Sequence, residues 1–81
     1  MDKREMKVEE RYSDCTLYIN EEKMRRVFVQ ECDQRVGSRV KYFVTVSDVD
    51  PETGRGMNAE TVATRCTYEQ AMMIAREHYF K

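Results

Sequence analysis

Arg39-Val40-Lys41-Tyr42-Phe43-Val44-Thr45-Val46-Ser47, residues 39–47, decides the fold. Val40, Tyr42, Val44 and Val46 alternate with Lys41, Phe43 and Thr45, and β-branched and aromatic residues dominate. That is the period-2 pattern of a strand. Apolar side chains fall on both of its faces, so a sheet built on it needs cover on both.

The pattern extends upstream. Residues 24–32 read as a strand with Val27 and Val29 on one face and Arg26, Phe28, Gln30 and Cys32 on the other. Asp33 to Ser38, containing Gly37, is expected to close a hairpin loop to the strand at 39–47. From 13 to 20, Cys15, Leu17 and Ile19 alternate with Thr16 and Tyr18, and Asn20-Glu21-Glu22-Lys23 reads as a turn. Residues 1–11 are too polar for a core element and are expected to form a flexible arm or a short helical turn.

Downstream, Asp48 to Gly56 is a loop in which Pro51 fixes φ at the second turn position and Gly54 permits φ > 0. Residues 57–66, rich in Thr and Ala, return as a weaker fourth strand at a sheet edge. Thr67-Tyr68-Glu69-Gln70 fits a capping box, and Glu69 suits the first turn of a helix running to about residue 80. Ala71, Ile74, Ala75 and His78, flanked by Tyr68, Met72 and Tyr79, make one broad apolar face. The expected fold is α+β: an antiparallel four-stranded meander with one C-terminal helix on one face, a single domain over 12–81.

Eighty-one residues allow one small core, which covers only about 60% of the unfolded chain's surface. The 14 basic and 15 acidic residues give a net charge of −1, which argues against a general nucleic-acid binder. The charge is segregated: net −3 over 1–22, +4 over 23–41, −3 over 42–60 and +1 over the rest. Such patches can steer a partner of opposite sign. The N-terminal residues carry charge rather than a signal peptide's apolar run, and no stretch approaches a membrane span, so a cytoplasmic protein is expected. Cys15, Cys32 and Cys66 are widely spaced and odd in number, beside one histidine, which suits reduced thiols better than zinc.

No residue set identifies a reaction. Asp48, Asp50 and Glu52 resemble the start of a calcium loop, but the sharp-turn glycine position holds Thr53 and the twelfth position Ala59. Gly54-Arg55-Gly56 lacks the rest of a phosphate cradle. His78 excludes two-histidine sites by being single, and only pairing with Cys32 or Cys66 stays open for nucleophilic catalysis. No enzyme activity, cofactor or metal is expected.

Binding residues are easier to nominate. Tyr18, Phe28 and Phe43, with Arg26, Lys41 and Arg65, are expected on the sheet face away from the helix. Aromatics among bases take single-stranded nucleic acid on some sheets and build protein hot spots on others. A third reading covers that face internally, by the N-terminal segment or by curling of the sheet. On the helix, Met73 and Phe80 project opposite the core arc with Glu69, Arg76 and Glu77.

Phe43-Val44-Thr45-Val46, Gly54-Arg55-Gly56 and the helix at 67–80 together resemble the second half of a double-stranded RNA-binding domain. That resemblance implies a strand–turn–strand–helix order over Lys41 to Phe80. Its phosphate-reading Lys-Lys-x-Ala-Lys run is replaced here by Tyr68-Glu69-Gln70-Ala71-Met72, so its RNA contacts do not carry over. In size and style the chain is also similar to phage-encoded inhibitors of host enzymes and anti-CRISPR proteins. The expectation is a stoichiometric binder of a larger protein or complex, with nucleic-acid binding or a homodimer as alternatives.

Overall fold

The computed structural model describes residues 4–31 and 40–81. They form five strands and a helix: β1 (Val8–Arg11), β2 (Cys15–Asn20), β3 (Arg25–Glu31), β4 (Tyr42–Val49), β5 (Gly56–Cys66) and α1 (Tyr68–Phe80). All neighbouring strands pair antiparallel, in the order β1-β2-β3-β4-β5. The α+β class and the meander with one C-terminal helix are as expected. The strand count is not, because Val8–Arg11 pairs with β2 instead of forming a loose arm or helical turn. Nothing in Val8-Glu9-Glu10-Arg11 alternates, and all four side chains are exposed. The strand exists because β2 presents an open edge, a condition outside its own sequence.

β2 also turns over relative to expectation. The turn of Glu21–Met24 sets Asn20 opposite Arg25, and so Tyr18 opposite Val27 and Leu17 opposite Phe28. Opposed residues share a face, so Tyr18 joins the valines and Leu17 and Ile19 go to the other side. One residue more or less in the turn would reverse this. The turn closes with Met24 at φ 51, a left-handed conformation uncommon for such a side chain.

The core lies between the sheet and α1. Val27 and Val44 are fully buried there with Ala71 and Ala75, around Tyr18, Val29, Cys66, Tyr79 and Met6. Met6, inside the stretch expected to be peripheral, is thus a core residue. The small alanines let the helix approach the strands closely. Thr67 caps it as anticipated: its hydroxyl accepts from the Gln70 amide, and the Gln70 side chain accepts from the Thr67 amide. Val40, expected on the valine face, lies before β4 and is exposed. The hairpin loop proposed for Asp33–Ser38, with Cys32 and Arg39, lies outside the described residues.

The far end of α1 is held by the β2–β3 turn. Asn20 Nδ2 donates to the Tyr79 carbonyl at 2.7 Å, Lys23 Nζ to the Lys81 carbonyl at 3.0 Å, and Arg25 to the His78 carbonyl. These carbonyls end the helix without intrahelical partners, and two cations meet the negative end of its dipole. Gly54 takes φ +75 in the β4–β5 loop, as the turn requires. β5 carries three register shifts against β4, with Asn58 and Arg65 at positive φ, so this edge strand is bent and irregular.

Candidate interaction surfaces

Of the seven nominated contact residues, the structure leaves few available. Tyr18 is inside the core; its hydroxyl donates to the Met72 sulfur at 3.9 Å. Burial pushes its phenol pKa up. Arg26 does lie on the face away from the helix, but it is committed within the chain. Its Nε and Nη2 meet the two carboxylate oxygens of Glu9 at 2.7 and 3.1 Å, and its Nη1 donates to the Gly54 carbonyl at 2.7 Å. Lys41 is 3.1 Å from Glu31. The two bases expected to serve an incoming phosphate are therefore each paired with an acid.

Arg26 explains how this face is shaped. Glu9 belongs to the first strand and Gly54 to the loop beyond the fourth, yet one guanidinium in β3 reaches both. β1 must lean in over β2, and the β4–β5 loop must fold back over the sheet. Beneath that fold Ser47 and Val49 are buried, and a Cβ on Gly56 would stand 3.2 Å from Ser47 Oγ. Leu17 is buried as well, while Ile19, Phe28 and Phe43 are half-buried beside it. Phe28 and Phe43 thus occupy the expected face, but on a curled surface that largely covers itself. Arg65 is exposed at a bulge in β5 and takes no place in this cluster.

Phe80 is likewise engaged. Its ring lies 4.2 Å from the Arg4 guanidinium and 5.2 Å from that of Arg76, and it packs edge-on against Tyr79 at 4.7 Å. Arg76 Nη2 also donates to the Arg4 carbonyl at 2.5 Å. The helix wheel places Phe80 opposite the core; instead it is partly buried and packs against the core, with Arg4, from before β1, over its ring.

Met73 is different. It is 66% exposed at the centre of the outer helix face. Two grooves flank it: one of about 380 Å³ between Arg76, Glu77, Phe80 and Lys81, and one of about 400 Å³ between Ala63–Cys66, Gln70 and Ile74. This is an apolar knob between two depressions.

A cleft that sequence reading did not anticipate opens at the other end of the core, near the start of α1. It encloses about 250 Å³, lined by Tyr12, Tyr18, Tyr42, Tyr68, Cys15 and Glu31 among others. The Tyr42 hydroxyl donates to Glu31 at 3.1 Å, and its ring meets Tyr68 edge-on at 5.4 Å. Burial, with the Glu31 bond, pushes the Tyr42 phenol up; burial, with Asp14 nearby, does the same to the Cys15 thiol. Burial also raises the Cys66 thiol, which donates to the Tyr42 carbonyl. Groups held protonated in this way are hydrogen-bond donors rather than nucleophiles. The tyrosines are far apart in sequence, and only the register brings them together.

No group of three or more His, Cys, Asp or Glu among the described residues is placed to hold a metal ion. No helix among them is long and apolar enough to cross a membrane. Comparison with protein-family models, with curated proteins and with solved structures finds no match.

Proposed function

We propose that this chain is a small non-enzymatic protein-binding module of the cytoplasm, acting stoichiometrically as an inhibitor or adaptor of a larger protein or complex. The observation that carries this reading is Met73, two-thirds exposed between two grooves and the most exposed large apolar side chain of the helix. Exposed methionine adapts its shape to a partner at little cost. The pairing of Arg26 with Glu9 and of Lys41 with Glu31 favours protein over nucleic acid as the partner. The raised thiol and phenol pKa values favour binding over nucleophilic chemistry.

The test is capture from the native host by tagged wild type and by Met73→Glu, with mass spectrometry of what is retained. A protein held in a fixed ratio by wild type and lost from the variant is the expected result. Retention of nucleic acid alone, with a steep salt dependence abolished by Arg26→Ala/Lys41→Ala, would replace this reading with a nucleic-acid one.

A further inference from the structure

We infer that the outer face of α1 docks against the same face of a second copy of this chain, the two helices antiparallel about a two-fold axis at Met73. The inference rests on the reading that this face is a contact surface, and it names a second copy as what covers the face while no larger partner is bound. The warrant is self-complementary charge. At 100° per residue, Glu69 and Arg76 lie on one flank of the Met73 line, and Gln70 and Glu77 lie on the other.

A two-fold axis running across antiparallel helices keeps each flank on its own side and reverses direction along the helix. Glu69, about one turn before Met73, therefore faces Arg76 of the other copy, about one turn after it. Gln70 likewise faces Glu77. Each contact occurs twice, and Met73 meets Met73 at the centre. A parallel pair, with the two-fold along the helices, would swap the flanks and set Glu69 beside Gln70 and Arg76 beside Glu77 of the other copy. Only the antiparallel pair sets Glu69 against Arg76, which the charge-reversal experiment reads.

The remaining chemistry is compatible. Gln70 Oε1 accepts from the Thr67 amide in the cap, a bond that does not use its Nε2 donor. A guanidinium carries five N–H donors, so Arg76 can serve the Arg4 carbonyl and a carboxylate together. The groove after Met73 in one copy faces the groove before it in the other, so Phe80 approaches the depression beside Cys66. Arg65 and Lys81 come together at the rim, where water and salt screen like charges. A helix about 20 Å long offers less contact than a typical stable interface, so the dimer is a weak one.

The experiment uses charge reversal and mixing. In Glu69→Arg, arginine would face arginine across the axis; in Arg76→Glu, glutamate would face glutamate. Mixed one to one, the Glu69→Arg chain and the Arg76→Glu chain set opposite charges against each other at both contacts. Sedimentation equilibrium at about 100 μM should show wild type approaching twice the protomer mass, either variant alone associating at least about tenfold more weakly, and the mixture recovering the dimer. Circular dichroism of each variant checks that it is folded. A monomeric wild type at this concentration overturns the inference, and so does a mixture of folded variants that fails to recover the dimer. Capture of a host protein dependent on Met73 would still stand in either case, so the two readings fail separately.

Discussion

Arg26 and Glu9 meet through two hydrogen bonds, 2.7 and 3.1 Å, across the width of an intervening strand. The pair joins β1 to β3 over β2, and the same guanidinium holds the Gly54 carbonyl of the β4–β5 loop. A residue that looks like a ligand for phosphate in the sequence is thus a brace that curls the sheet. It uses the fork geometry that lysine could not reproduce.

This brace should have a pH signature. The Arg26 hydrogen bonds hold the Glu9 carboxyl below its ordinary value of 4.5. A carboxyl depressed in the folded state stabilises above its unfolded pKa, and the contribution fades as pH falls through the lower folded value. Glu9→Gln should cost about 0.5–1.5 kcal/mol at pH 7, a partly exposed bidentate pair being worth little more. The difference from wild type should shrink below pH 4.5 and vanish once the folded carboxyl protonates. Urea unfolding of both proteins across pH 2–7 measures it, and a difference independent of pH would contradict the assignment.

Tyr79 fastens the helix to the N-terminal residues. Its hydroxyl donates to the Ile19 carbonyl at 2.7 Å and accepts from the Lys7 amide at 3.0 Å. Tyr79→Phe keeps the ring and orphans two backbone groups, so it should cost about 1–3 kcal/mol. Hydrogen exchange should quicken first at Lys7, whose amide donates to that hydroxyl, and next in β1.

The two apolar surfaces should respond in opposite ways. Met73→Glu removes nothing from the core and should leave unfolding free energy within about 0.5 kcal/mol of wild type. Phe28→Ser/Phe43→Ser strips half-buried rings from the curled face and should destabilise by several kcal/mol, roughly 2–5. If the aromatic pair could be replaced without loss of stability, that face would be a contact surface rather than a second layer of core.

At the centre, Val44→Ala opens a void opposite Ala71 and Ala75, which cannot grow to fill it. Val44 has no solvent exposure, so roughly 2–4 kcal/mol should be lost. Chemical denaturation should show a lower midpoint with an unchanged slope.

What was legible in the sequence by itself is local. The alternation around Val44 and Val46 marks a strand, Thr67 and Gln70 mark the start of a helix, and Pro51 and Gly54 mark a turn, because each depends on residues within a few positions. The exposure of Met73 follows too, since the helical period alone sets it opposite Ala71 and Ala75. The rest was decided by tertiary structure. Whether Tyr18 or Leu17 faces the helix depends on the parity of the register, which a four-residue turn sets. β1 forms because β2 offers it an edge. Arg26, Lys41 and Phe80 look available until Glu9, Glu31 and Arg4 arrive from elsewhere in the chain. A side chain's propensity is written in its neighbours along the chain, but its availability to a partner depends on which distant groups the fold has already given it.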